Sequence, residues 1–216
     1  SIPDFSSDQY LVLLTKNGMI KKTPIIAFKS VTARGLIVIS IEEKDQLNWV
    51  RRCSVTDSIF LTTKNGRALR FLADDNRLRA TGRNSRGVKS MSLNINDKIV
   101  DIDVIPFLQN SDEYFILVIT AKGYGKRIRF QELKIQNRGG KGVLLIKLRK
   151  VISDELVSAR YCNKFDEVLL SSENGTVVRQ KIDAIALQNR TAQGVKVQKL
   201  IENDIVSKVS IVTESI

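Results

Sequence analysis

The sequence contains no histidine and only two cysteines, Cys53 and Cys162. A zinc site built from Cys and His therefore lacks ligands, and acid–base catalysis by His is excluded. Neither cysteine belongs to a CxxC pair, and both lie in apolar, strand-like runs. We predict that both thiols are small buried core groups in a protein of a reducing compartment.

Long apolar runs, prolines and phosphate-binding loops are also scarce. No apolar run reaches 18 residues, so no membrane span is expected. No GxxxxGK[ST] motif is present, which argues against an ATP site in this chain. Prolines number only three and Val, Ile and Leu are plentiful, which favours an ordered chain over a basic disordered tail. The opening Ser1–Asp4 shows no leader pattern and is interpreted as the boundary of a fragment.

Positive charge is in clear excess, with 35 Lys and Arg against 23 Asp and Glu, a net charge of +12. Such a charge predicts attraction to polyanions, with nucleic acid as the first candidate and an anionic membrane as the second. The excess is uneven along the chain: it is +5 over residues 10–52, +3 over 53–109, +6 over 110–162 and 0 over 163–216.

Those four segments are also copies of one repeated unit. Each copy begins with two β-type runs joined by a turn that ends in a glycine. The turn glycines are Gly18, Gly66, Gly123 and Gly175. Three of the four turns contain Asn-Gly, which is the strongest short signal for a β-hairpin with a two-residue type I′ turn.

A second glycine follows each turn glycine after 17, 21, 19 and 19 residues. These are Gly35, Gly87, Gly142 and Gly194. Each is followed by an alternating run, predicted as a strand, and then by a last strand that an aspartate introduces. The alternating runs are Leu36–Ile41, Val88–Leu93, Val143–Leu148 and Val195–Leu200. Four strands in about 50 residues indicate an all-β, propeller-like disc, either one domain over residues 1–216 or a fragment of one.

One cation stands four residues after every turn glycine. These cations are Lys22, Arg70, Arg127 and Arg179. We predict that they contact nucleic-acid phosphates. The alternative is that they pair across repeats with the regularly placed aspartates, which are Asp45, Asp97, Asp154 and Asp204.

A basic loop precedes each second glycine, and the loop of the third copy is the richest. Its candidate residues are Gln136, Arg138, Gly139, Gly140, Lys141 and Gly142, and the other copies add Arg34, Arg83, Arg86 and Arg190. Glycines let a backbone approach a ligand closely, and Arg and Lys supply charge and donors for phosphate. No recognition helix is indicated, so we expect binding to the DNA backbone with bending, without sequence specificity.

The motif Gln136–Gly142 resembles the box of the C-terminal domain of the DNA gyrase A subunit, glutamine-arginine-arginine-glycine-glycine-lysine-glycine. Asn137 replaces the first arginine, and the resemblance extends from Tyr10 to about Val212. It implies a β-pinwheel, a propeller-like disc whose neighbouring blades exchange strands and whose basic rim wraps double-stranded DNA. That wrapping would support ATP-dependent negative supercoiling by a type IIA topoisomerase.

The resemblance also implies partners and a location. The partners would be DNA, the gyrase B subunit and the remainder of the gyrase A subunit. No binding to a membrane is expected. No catalytic activity and no cofactor are expected in this chain, because ATP and magnesium would bind elsewhere in the parent enzyme. The location would be the bacterial cytoplasm, on the chromosome, or an organelle of bacterial origin. Two alternatives stay open: the related domain of topoisomerase IV, and a propeller that docks other proteins.

Overall fold

A computed structural model describes residues 5, 8–31, 33–107 and 112–213, so the repeat boundary expected at residue 109 lies outside the described residues. The described chain consists of strands and a few short 3-10 helices, which confirms the all-β class. The strands are β1 (Tyr10–Thr15), β2 (Met19–Pro24), β3 (Leu47–Cys53), β4 (Ser58–Thr63), β5 (Arg67–Leu72), β6 (Val88–Lys89), β7 (Ile99–Ile105), β8 (Tyr114–Thr120), β9 (Tyr124–Arg129), β10 (Val143–Leu144), β11 (Leu156–Asn163), β12 (Glu167–Ser172), β13 (Val177–Lys181), β14 (Val195–Lys196) and β15 (Val206–Val212). The 3-10 helices are Ile25–Phe28, Phe130–Glu132, Lys150–Ile152 and Ile182–Ala184.

The strands form four antiparallel sheets, one for each repeat. Their orders are β3-β1-β2-β6, β10-β5-β4-β7, β11-β8-β9-β14 and β13-β12-β15. In the first three sheets, the second hairpin strand pairs with a strand from the next repeat: β2 pairs with β6, β5 with β10 and β9 with β14. This exchange of strands between neighbouring repeats confirms the pinwheel arrangement that the resemblance implied.

The sheets have a clear inside and outside. Strands β3, β7, β11 and β15 contact one another in sequence, and we call them the inner strands. The exchanged strands β6, β10 and β14 form the opposite edge of the first three sheets, and we call them the outer edge. Three apolar clusters fill the spaces between consecutive sheets, as expected for blades that bury their faces only by stacking.

Both cysteines belong to these clusters, with Cys53 in the first and Cys162 in the third. Each is 2% exposed and forms no disulfide bond, and burial raises the pKa of both thiols to about 12. The prediction of small buried core groups is therefore confirmed.

Two local predictions are wrong. The hairpins do not use type I′ turns: three residues join Thr15 to Met19, Gly18 donates to the carbonyl of Thr15, and in this turn only the glycine has a positive φ. A type I′ turn would need the preceding asparagine there as well.

The alternating runs after the second glycines form strands of only two residues. Beyond them the chain bends inwards, where the amides of Ser90, Leu145 and Val197 donate to the turn-glycine carbonyl of the preceding repeat. Residues 36–41 form no strand.

Candidate nucleic-acid interface

The cation at the end of the first hairpin is buried. Lys22 is 0% exposed, and its Nζ donates to the carbonyl of Ala73 (2.5 Å) and to Oδ1 of Asp75 (2.8 Å), both in the second repeat. The ammonium also lies 4.7 Å from the ring centre of Tyr10. The prediction that Lys22 contacts DNA is therefore wrong, because its charge is enclosed between two repeats.

Arg70 and Arg127 occupy the same position in the next two repeats. Arg70 donates to the carbonyl of Leu133 (3.0 Å), and Arg127 donates to the carbonyls of Ile185 (2.7 Å) and Asp183 (2.8 Å). Each acceptor lies in the following repeat, and burial lowers the pKa of both guanidinium groups. The structure thus corrects the expected role: these two side chains join neighbouring repeats instead of facing outwards.

Arg179 is the fourth member and differs from the others. It is exposed and pairs with Glu167 of its own sheet. A phosphate contact by Arg179 stays a prediction.

The regularly placed aspartates do not pair with these cations, so that alternative is also wrong. Each accepts a backbone N–H from the hairpin turn of its own repeat: Asn17 donates to Asp45, Asn65 to Asp97, Lys122 to Asp154 and Asn174 to Asp204. Their role is to hold the turn, as carboxylates that accept several backbone amides commonly do.

The glycine-rich loop Gln136–Gly142 packs against the second repeat. The amide of Gln136 donates to the carbonyl of Arg70 (2.8 Å), and the amide of Gly139 donates to the carbonyl of Ser90 (2.9 Å). The amide of Ser92 donates to the carbonyl of Gly140 (2.9 Å), and its hydroxyl donates to the carbonyl of Gly139 (2.8 Å). Gln136 and the three glycines therefore shape the loop and dock it, and their backbone groups are largely occupied within the fold.

The loop arginines serve a similar purpose. Arg138 donates to the carbonyls of Arg77 and Lys89, both at 2.6 Å. Arg190, at the equivalent position of the fourth repeat, donates to the carbonyl of Leu144 (2.9 Å). Because Lys89 and Leu144 end the exchanged strands β6 and β10, both arginines tie a loop to the exchanged strand of the preceding repeat. Both are half-buried.

Sequence reasoning missed two buried lysines that hold the basic loops. The Nζ of Lys21 lies within 3.3 Å of the carbonyls of Val38, Gly82, Arg83 and Ser85. The Nζ of Lys126 donates to the carbonyls of Asn189, Arg190 and Ala192 at 2.7–2.9 Å. Burial lowers the pKa of Lys126 to about 8. The signal was available, because both lysines stand three residues after a turn glycine.

The charges that face solvent include four of the predicted residues, Arg34, Arg83, Arg86 and Lys141. Arg34 and Lys141 are exposed, and within the described ranges their side chains have no hydrogen bond or ion pair. Arg83 is half-exposed, and Arg86 is exposed and lies 3.0 Å from Glu42. Lys89 of β6 and Lys196 of β14 are also exposed and lie on the outer edge. The sequence shows them only as polar residues in alternating runs.

Two other kinds of site are missing from the part of the chain that the structure describes. It contains no group of three or more Cys, Asp or Glu side chains placed to hold a metal ion. Nor do these residues include a helix with the length and apolar character needed to cross a bilayer.

Two comparisons with known sequences, one with a family profile and one with single proteins, both match this chain to DNA gyrase. A family profile described as "DNA gyrase C-terminal domain, beta-propeller" matches residues 9–54, 57–106, 114–163 and 166–213. The DNA gyrase A subunit of Synechocystis sp. is 36% identical over 242 residues. That alignment covers 100% of this chain and 28% of the relative, so the chain corresponds to a little over a quarter of the length of that relative.

Solved structures with a similar fold include two C-terminal domains. One is the C-terminal domain of DNA topoisomerase IV, with a TM-score of 0.86, 28% identity, and coverage of 98% of this chain and 64% of the other. The other is a DNA gyrase A C-terminal domain, with a TM-score of 0.82, 27% identity, and coverage of 96% and 67%.

Proposed function

Because the chain belongs to the family of DNA gyrase C-terminal domains, we propose that it binds double-stranded DNA along its outer edge and bends it. The observation that supports this most directly is the position of the unpaired positive charge. Lys89 lies on an exchanged strand, and Lys141 lies in the loop that leads into the next exchanged strand. Successive repeats therefore present cations along the same side of the disc.

The mode of binding follows from what surrounds these cations. Duplex DNA carries one charge per about 1.7 Å of its axis, which suits a row of cations on a curved edge. The exposed side chains are Lys and Arg on short strands and loops, which can reach phosphates but do not form a helix that enters the major groove. We therefore expect backbone contacts, steep salt dependence and little sequence preference.

The test compares two double variants that remove equal charge. Lys89→Gln with Lys141→Gln changes the outer edge, and Arg52→Gln with Lys208→Gln changes exposed positions on the inner strands. Affinity for a duplex of roughly 30 bp is measured by fluorescence anisotropy over a range of salt concentrations, and bending by energy transfer between the duplex ends. The outer pair should lower the slope of log K against log salt by about 1.8, since each phosphate contact contributes about 0.9. The inner pair should leave it unchanged, and equal effects of the two pairs would refute the outer-edge assignment.

The role of such binding in a whole enzyme is a second step of the same proposal. We propose that the domain acts in a gyrase complex, together with the gyrase B subunit plus the remainder of the gyrase A subunit. Wrapped DNA would there support ATP-dependent negative supercoiling. Support comes from the gyrase A relatives, whose alignments cover 92–100% of the chain. The test is supercoiling of relaxed circular DNA by a complex reconstituted with and without this domain.

The likeness in shape to the topoisomerase IV domain favours one other candidate, a role in that enzyme. The same reconstitution separates the two. Negative supercoils that depend on this domain indicate the gyrase role, and ATP-dependent strand passage without net negative supercoiling indicates the other.

A further inference from the structure

The second repeat contains an insertion that the others lack. Fifteen residues separate β5 from β6, whereas thirteen separate β9 from β10 and β13 from β14. The third and fourth repeats fill this stretch with a short 3-10 helix, at Phe130–Glu132 and Ile182–Ala184. The second repeat instead carries Asp74–Arg79, a turn in which the amides of Arg77 and Leu78 donate to Asp74.

This insertion meets the glycine-rich loop of the third repeat. Arg138 donates through Nε to the carbonyl of Arg77 at 2.6 Å. Together with the first repeat they enclose a cavity of about 270 Å³, which we call the arginine pocket. Its lining includes Arg77, Arg79, Arg138, Asp75 and the backbone at Gly87. A volume of this size has room for a phosphate group with some hydration.

The charges around the arginine pocket are only partly balanced. Asp75 is held by Lys22 at 2.8 Å, and Asp74 is held by Nη1 of Arg77 at 2.7 Å. The Nε of Arg77 is buried and has no hydrogen-bond partner within the described chain. Arg79 is exposed, and none of the described residues forms an ion pair or hydrogen bond with its guanidinium group. An unsatisfied guanidinium N–H is costly, so an acceptor oxygen that reached the Nε of Arg77 would relieve that cost.

We infer that the arginine pocket binds one phosphate of the DNA backbone, with Arg77 and Arg79 as donors beside Arg138. The planar guanidinium fork suits two oxygens of one phosphate and gives the contact a fixed orientation. The pocket joins three repeats at the one place where the insertion and the fullest glycine-rich loop meet. It would anchor the duplex at a single point, while the lysines of the outer edge act as diffuse charge. This inference rests on the proposed DNA binding.

The test uses Arg79→Gln, with Arg52→Gln as a control of the same residue type and charge change on an inner strand. Affinity for a duplex is measured over a range of salt concentrations with the full chain. Arg79→Gln should lower the slope of log K against log salt by about 0.9, and Arg52→Gln should not change it. A slope for Arg79→Gln equal to that of the unaltered chain overturns the inference. Failure of the unaltered chain to bind DNA at low salt instead refutes the proposed function.

A second measurement does not depend on DNA. Inorganic phosphate is titrated into the chain labelled with ¹⁵N, and the Nε–H signals of Arg77 and Arg79 are followed. Saturable shifts of both signals are expected in the unaltered chain and in Arg52→Gln. In Arg79→Gln, which lacks the Arg79 signal, the shift of the Arg77 signal should be lost. Shifts that grow linearly with phosphate, or that persist in Arg79→Gln, would show an adventitious ion only and would overturn the pocket.

Discussion

The junctions between repeats hold their basic loops in two different ways. Between the third and fourth repeats, the buried ammonium of Lys126 binds three loop carbonyls. Between the second and third repeats the equivalent residue is Leu69, which belongs to the apolar core. The loop carbonyls of Lys141 and Gly142 accept from Arg67, as those of Gln193 and Gly194 accept from Arg149 at the other junction, so among these side-chain donors the two junctions differ in the central lysine alone.

The difference coincides with the glycine pair of the third loop, Gly139 and Gly140, since a Cβ at Gly140 would lie 3.7 Å from Leu69. A central lysine can satisfy several carbonyls of an ordinary loop at once. At all three junctions between repeats, the second glycine lies against the backbone of the preceding repeat, with Gly87 against Ile20, Gly142 against Ala68 and Gly194 against Gly125. The loop of the third repeat adds contacts through Gly139, whose amide donates to the carbonyl of Ser90 and whose carbonyl accepts from the hydroxyl of Ser92. The glycines of the third repeat therefore serve close packing, and the phosphate-binding charge comes from side chains such as Lys141.

The largest expected effect comes from placing a lysine at the junction between the second and third repeats, where the structure has Leu69. In Leu69→Lys the ammonium would enter an apolar cluster, beside a loop whose carbonyls at Gly139 and Gly140 already accept from Ser92. An unpaired buried charge should lower the free energy of unfolding by about 3–5 kcal/mol. Leu69→Met, a control of similar volume, should cost less than about 1.5 kcal/mol. Chemical denaturation measures both, and a small cost for Leu69→Lys would show that the two junctions are interchangeable.

The next comparison separates close packing from backbone conformation. Both Gly139 and Gly142 have positive φ, but a Cβ at Gly142 would collide with the backbone at Ala68, whereas a Cβ at Gly139 meets nothing within 4 Å. Gly139→Ala should cost about 1–2 kcal/mol for the left-handed backbone alone. Gly142→Ala should cost at least about 1 kcal/mol more, because the loop must also move away from β5. Equal losses in thermal unfolding would contradict the packing argument.

Removing Lys126 from the junction between the third and fourth repeats should have a more moderate effect. Lys126→Met leaves the carbonyls of Asn189, Arg190 and Ala192 without their donor, at a cost of about 1–3 kcal/mol. Hydrogen exchange should increase at the loop amide of Ala192 and not at Gly139. Lys134→Met, at an exposed position, is the control and should change neither stability nor exchange.

The smallest expected effect is a dependence on pH. Burial lowers the pKa of Lys126 to about 8 from an ordinary value of 10.5. Between these values the unfolded chain holds more protons than the folded chain, so this lysine makes the free energy of unfolding rise with pH. From pH 7 to pH 9 the unaltered chain should gain about 1 kcal/mol relative to Lys126→Met. A constant difference between the two proteins would mean that Lys126 keeps its proton throughout.

Much of the fold was predictable because its signals are local and repeated. Glycine at a fixed interval, apolar runs and an aspartate before each last strand were enough to place the hairpins. Each inner strand follows the aspartate that introduces it, as β3 (Leu47–Cys53) follows Asp45 and β7 (Ile99–Ile105) follows Asp97. The turn type was mistaken, since Asn-Gly also fits a longer turn in which only the glycine needs a positive φ.

The site was harder to predict, as neighbouring residues show. Lys21 and Lys22 are chemically identical and adjacent, and both lie on β2. In a strand they point to opposite faces, and in most sheets one face is the more exposed. Here both faces are covered, because one carries the basic loop of the second repeat and the other carries the 73–75 segment.

The sequence alone determined that four hairpin units would stack into an all-β disc with an excess of positive charge. This information is contained in short-range spacing, which the chain repeats four times. Only the tertiary structure decided which cations remain available to a ligand. That choice depends on which carbonyls the next repeat brings within reach, because an ammonium or guanidinium group enclosed by a neighbour's backbone cannot also bind a phosphate.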